Sequence, residues 1–132
     1  MFQEIDSGIV SDGLAAQQSA ALPQSAFLGS YAMNASGTAA TAVQNLVGQL
    51  GVDANGNVTA GSVDISSFPG SLVSGQALTG TLTIASSGRG TLALHSGGVN
   101  RSFAVHAATP ALVFMVEVDS GAVSAGSLGK QF

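Results

Sequence analysis

The stretch "ALTGTLTIASSGRGTLALHSGGVNRSFAVHA" (residues 77–107) decides the fold. In it Leu78, Leu82, Ile84, Leu92, Leu94, Phe103 and Val105 alternate with Thr79, Thr81, Thr83, Thr91, Ala93, His95, Ala104 and His106. A period of two sends the two sets to opposite faces of β-strands, whereas a helix needs a period of 3.6. The Gly-bearing turns "SSGRG" and "SGGVN" cut the stretch into strands at 77–86, 90–96 and 101–107. The same pattern predicts strands at 27–35, 44–53, 57–66, 111–119 and 122–131. "ANGN" contains Asn55-Gly56, a pair suited to a type I′ hairpin turn. Pro110 falls between strands, where it removes no ladder hydrogen bond, and "SSFPGSLVSG" reads as a longer loop. Short links join antiparallel neighbours.

The chain therefore reads as all-β, an eight-stranded antiparallel up-and-down meander. Closing it into a small barrel removes its unpaired edges. The first apolar set, continued by Leu112, Phe114 and Val116, is expected to fill the interior. Gly48, Gly61, Gly80 and Gly126, inside strands, permit the coiling a small barrel needs.

A chain of 132 residues fits one domain with a real core. Charged residues make up 8% of it, against about 25% in a typical soluble domain. Ala, Ser, Thr and Gly fill the deficit, which suits a surface that packs against copies of itself. A net charge of −4 with three Lys+Arg excludes a phosphate-binding patch, and with it nucleic acid and polybasic membrane contact. With no Cys there is neither a disulfide nor a thiolate metal site. No apolar run approaches the roughly 20 residues of a membrane helix. Short strands and the lack of aromatic girdles argue against membrane insertion as a barrel. "MFQEIDSG" has no basic leader or long apolar core, so an exported form of this protein would be mature or excised.

The chain begins with words it ends on. "EIDSGIVSDGLAAQQ" (residues 4–18) and "EVDSGAVSAGSLGKQ" (residues 117–131) are identical at 8 of 15 positions, at a constant offset of 113. Repeats outrank local propensity. Residues 1–25 thus read as the tail of a preceding repeat plus a connector, an extra hairpin or strand available for donation. Residues 26–132 read as the barrel.

Several segments carry a family resemblance: "GSYAMNASG", "GQLGVDANGNVTAGSVD", "ALTGTLTIASSGRGTLAL", "FAVHAATPALVFMVEVDSG" and "AGSLGKQ". Together they resemble the tandem β-repeat domains of large exported surface proteins in soil bacteria. Those modules run G-x-Y, then a D-x-x-G-N hairpin, then G-R-G-T-L, then an E-x-D strand and a closing G-x-L-x-x-Q. The barrel is also similar in strand count to the calycins, lipocalins and avidins. The resemblance implies architecture and an extracellular or cell-surface setting, and it brings no catalytic residues.

No residues assemble into a catalytic, metal or cofactor site. His95 and His106 lie on successive strands, and a turn near Gly97 and Gly98 pairs His95 with a residue near Arg101 or Ser102, away from His106. "DANGN" places Gly56 too early for a calcium loop and has no following Glu. Glu117 and Asp119 share a strand face, but glycosidase carboxylates need a cleft with stacking aromatics, and the chain has no Trp. Recurrence of this Glu-x-Asp at Glu4 and Asp6 points to a structural role. The expected function is a non-catalytic structural or adhesive module that self-associates by strand pairing, as a filament or tandem array. Its expected partners are copies of itself or neighbouring repeats. Glu4, Ile5, Asp6, Ile9, Val10, Glu117, Val118 and Asp119 are the candidate assembly residues. The alternative is lipocalin-like binding of a small apolar ligand, which needs an open interior.

Overall fold

The computed structural model describes residues 2–4 and 11–132. The first elements are β1 (Phe2–Glu4) and β2 (Ser11–Gly13), which among the described residues pair only with each other, and a 3-10 turn at Gln24–Phe27. Then come β3 (Gly29–Ala39), β4 (Ala42–Val52), β5 (Asn57–Phe68), β6 (Leu72–Ala77) and β7 (Thr79–Ile84). β8 (Arg89–Ser96), β9 (Val99–Thr109), β10 (Leu112–Glu117) and β11 (Ala122–Lys130) complete the chain.

Every pairing is antiparallel. The ring runs β3, β4, β5, β7, β8, β9, β10, β11 and back to β3, so eight strands close a barrel. β6 lies outside the ring and, among the described residues, pairs only with β5. It was expected as loop. β5 is long enough to divide its second edge: Asn57 and Val58 pair with β7, while Ser62 to Ser66 pair with β6. No alternation marks β6, because Leu72 is 69% exposed and its neighbours Val73, Ser74 and Gly75 are exposed too.

Turns obey local chemistry. Gly97 and Gly98 both have positive φ (56° and 82°), so two residues suffice to link β8 to β9, as in a type I′ turn. The Asn55-Gly56 turn differs from the type I′ expectation, because only Gly56 has positive φ (90°). Asn55 stays out of the positive-φ region, and the Asp53 carboxylate braces the turn by accepting the N–H groups of Asn55 (2.9 Å) and Asn57 (2.8 Å).

Phe103, Leu82, Leu92, Val105, Val113 and Leu128 are fully buried in the interior. Each such side chain contributes about 1.5–3 kcal/mol relative to an exposed one. A Cβ at Gly126 would run into the Asn34 carbonyl, so β3 and β11 coil together only because that position is Gly.

One expected face is corrected. In β10 the inward residues are Val113, Met115 and Glu117, while Leu112 and Phe114 are half-buried and Val116 is 45% exposed. "LVFMVE" is apolar in both phases, so periodicity does not choose between them. The choice is made by the register shift opposite Leu112/Val113, where β9 carries an extra residue before Ala107 pairs with Val113.

The connector closes one end of the barrel. Leu22 and Phe27 are fully buried there. Gln24 donates to the Leu82 carbonyl (3.0 Å) and accepts from the Ile84 N–H (2.7 Å), as a strand would. Gln18 donates to the carbonyls of Ser87 (2.7 Å) and Ala107 (3.2 Å). Tyr31 sends its hydroxyl to the Pro110 carbonyl at 2.8 Å, and burial pushes its pKa up to about 12.

Candidate functional site

The other end, where β3 turns into β4, β5 into β6, β8 into β9 and β10 into β11, carries the polar chemistry. Four strands send one polar side chain each inward at the same level: Gln44 from β4, Arg101 from β9, Glu117 from β10 and Ser124 from β11. Arg101 donates to Glu117 at 2.9 Å and to the Gln44 side-chain carbonyl at 2.7 Å. Ser124 donates to the second Glu117 oxygen at 2.6 Å, and Gln44 donates to the Ser67 hydroxyl at 3.1 Å. The Glu117 side chain is 3% exposed and that of Arg101 14%. A buried charge persists only when paired and hydrogen-bonded, and here both carboxylate oxygens are engaged. The network forms a bar across the mouth.

Beneath the bar lies a cavity of about 40 Å³. Met33, Leu46, Val63, Leu78 and Leu94 line it, with Gln76 and Ser96 at its rim joined by a 3.0 Å hydrogen bond. It is about the size for a water or two, well below the roughly 300–1,000 Å³ of a drug-sized pocket. The larger hollows, of about 410 Å³, lie outside the wall, one over residues 49–51 and 60–62 and one over β7 to β9. Around the mouth, Val43, Phe68, Leu72, Val99, Val118 and Val123 are all exposed by half or more.

The candidate assembly residues separate. Glu117 is part of the internal bar. Asp119 caps the next turn, accepting the Ser102 N–H at 2.7 Å, and the Val118 N–H donates to the Ser102 carbonyl at 2.9 Å. Ile5, Asp6, Ile9 and Val10 lie outside the described residues. Glu4 stands opposite Ser11 in the β1–β2 hairpin, with Gln3 opposite Asp12 and Phe2 opposite Gly13. Shifted by 113 these pairs become Met115 with Gly126 and Val116 with Ala125, both of which are pairs of β10 and β11. The third becomes Glu117 with Ser124, which are joined through their side chains. The N-terminal hairpin thus repeats the closing hairpin in register as well as in sequence.

His95 pairs with Asn100, one residue short of the expected partner, and its Nδ1 lies 2.7 Å from the Asn100 side-chain oxygen. His106 stands opposite Arg89 and Phe114. Among the described residues, no three His, Cys, Asp or Glu converge as a metal site would require. Sequence reasoning missed the Arg101–Glu117 bar. Its signal was present: Arg101 shares the phase of Phe103 and Val105, and Gln44 that of Leu46 and Leu50.

No family model and no curated protein matches the chain. Three solved structures match, two of them with TM-scores above 0.5. A de novo designed fluorescence-activating β-barrel superposes with a TM-score of 0.61 at 11% identity, over 83% of this chain and 99% of that one. A redesigned β-barrel bound to DFHBI gives 0.53 at 12% identity, over 80% and 99%. An S-type phycobiliprotein lyase from Guillardia theta gives 0.48 at 12% identity, over 83% and 90%. At such identities the likeness concerns the fold.

Proposed function

We propose that this chain is a non-catalytic structural module of an extracellular or cell-surface assembly, of the tandem β-repeat kind, and that it self-associates by strand pairing. One observation carries the reading: the β1–β2 hairpin has the register of β10–β11 but, among the described residues, neither of its flanking strands. In the barrel, β9 and β3 cover the two outer edges of the closing hairpin. A two-stranded hairpin is marginal alone, and unpaired edges recruit further strands. Strand addition from another copy or a neighbouring repeat supplies main-chain hydrogen bonds along the whole edge. The sparse charge offers little repulsion against it. Sedimentation of the full chain beside a variant lacking residues 1–13 tests the reading, since among the described residues neither β1 nor β2 pairs with a barrel strand. The full chain is expected to form species larger than those of the shortened variant. Identical size distributions for the two would sink it.

A second reading, binding of a small apolar ligand at the mouth, draws on the apolar cavity below the Arg101 bar. It is consistent with fold neighbours described as fluorescence-activating or bound to DFHBI. An occupant larger than a few atoms requires Arg101 to swing out. An environment-sensitive apolar dye should then brighten with Arg101→Ala more than with the wild type, and equal dark signals would exclude this reading.

A further inference from the structure

The slot that β10–β11 fills, between β9 and β3, makes four specific demands on its occupant. Arg101 on β9 needs a carboxylate, which Glu117 supplies at 2.9 Å. That carboxylate needs a donor on the next strand, the Ser124 hydroxyl at 2.6 Å. The Ser102 N–H needs an acceptor, the Asp119 carboxylate at 2.7 Å. β3 needs a glycine opposite Ala35, because a Cβ at Gly126 would run into the Asn34 carbonyl. At the offset of 113 the N-terminal stretch carries Glu4, Ser11, Asp6 and Gly13 at these four places. We infer that this slot, in a second copy, takes the β1–β2 hairpin in place of β10–β11.

The inference rests on the self-association reading and names the acceptor of the hairpin. The two hairpins differ mainly where the slot is indifferent. Gln3 stands for Val116, which is 45% exposed, and Asp12 for Ala125, which is exposed. Phe2 falls at the place of buried Met115, apolar for apolar. One inward place favours the native hairpin: Leu128 is fully buried, and the smaller Ala15 corresponds to it. The slot's own hairpin therefore holds it in a single copy, and the visiting one enters when β10–β11 leaves. A second copy is the source because the connector is tied down at the closed end. Gln18 donates to the Ser87 and Ala107 carbonyls, and the Ser19 N–H to the Ala108 carbonyl at 2.7 Å. Entry into its own slot would bring Gln18 to the place of Gln131, whose N–H donates to the Ser30 carbonyl of β3 at 2.8 Å, and would break those bonds. Each copy offers one hairpin and one slot, so the contact is head-to-tail and links copies into an open chain.

The test uses full-length Gly126→Val, whose added side chain expels β11 from β3 and empties the slot. It is expected to stay folded by circular dichroism and to sediment as species larger than the wild type. Adding Gly13→Val gives the N-terminal hairpin the same clash and should weaken that association at least about tenfold, since overpacking is destabilising. Cross-linking supplies a second measurement, because the chain has no Cys of its own. Gln3→Cys and Ala104→Cys are placed in separate Gly126→Val chains and mixed. Val116 pairs with Ala104, so occupation of the slot predicts that the mixed disulfide outweighs the two homodimers. Gly126→Val chains that are unfolded or monomeric, or that associate equally with and without Gly13→Val, overturn the slot. So does a mixture that forms no excess of the mixed disulfide. If the wild-type chain still outgrows the variant lacking residues 1–13, the hairpin pairs through its outer edges and the self-association reading stands without the slot. That reading falls separately, when those two chains match in size.

Discussion

Removing the Arg101 guanidinium should unfold this barrel more readily than removing any single surface contact. In Arg101→Met the Glu117 carboxylate keeps only the Ser124 hydroxyl, 2.6 Å away, and stays 97% covered, its side chain being 3% exposed. Breaking one partner of a buried pair costs about 3–5 kcal/mol. The lower end applies, because Arg101 keeps 14% of its side-chain surface in solvent. For a chain of this length about 3 kcal/mol corresponds to roughly 12 °C in Tm. Replacing both residues, as Arg101→Met with Glu117→Met, removes the stranded charge. Such replacement of buried pairs is often neutral or better, although here Ser124 loses its acceptor, at about 1–3 kcal/mol. The double variant should therefore regain at least about 2 kcal/mol relative to the sum of the single losses. Urea unfolding followed by circular dichroism, with all four members of the cycle at one pH, measures this. Additive losses, with a coupling under about 0.5 kcal/mol, would refute the claim that the bar acts as a unit.

Other outcomes follow from the closed end. Tyr31 titrates near 10 when unfolded and is pushed up to about 12 by burial, so its contribution is full below pH 10. It is lost as pH rises from 10 towards 12, and Tyr31→Phe should flatten that part of a stability profile taken by urea titration. Gln18→Ala removes two hydrogen bonds to the β7–β8 turn and β9, and should lower stability by about 0.5–1.5 kcal/mol per bond. A change below the error of a thermal melt would mean that the connector does not seal this end.

The architecture was legible because strands β7, β8 and β9 alternate cleanly and their turns carry glycines with a geometric task, Gly97 and Gly98 above all. What periodicity did not decide was the phase of β10, where Leu112, Phe114 and Val116 compete with Val113, Met115 and Glu117. A bulge in the partner strand made that choice, and bulges leave little trace in composition. β6 was hidden for a related reason: of this strand outside the ring only Gln76 reaches the barrel rim while residues 72–75 are all exposed, so "LVSGQA" shows no alternation. The mouth network was harder still. Arg101, Gln44 and Glu117 lie far apart in sequence, and only ring closure brings β4 within reach of β9. The duplicated hairpin is the opposite case. Its sequence match of 8 in 15 announced a repeat, and the structure adds that the two copies share one register.

Whether the N-terminal hairpin finds a strand partner can be measured at its own amides. Hydrogen exchange at Phe2–Glu4 and Ser11–Gly13, compared between dilute and concentrated full-length protein, reads the free edges directly. Strand pairing between copies predicts slow exchange on the outer edges at high concentration and fast exchange on dilution. Equally fast exchange in both, with the barrel amides protected throughout, would contradict it.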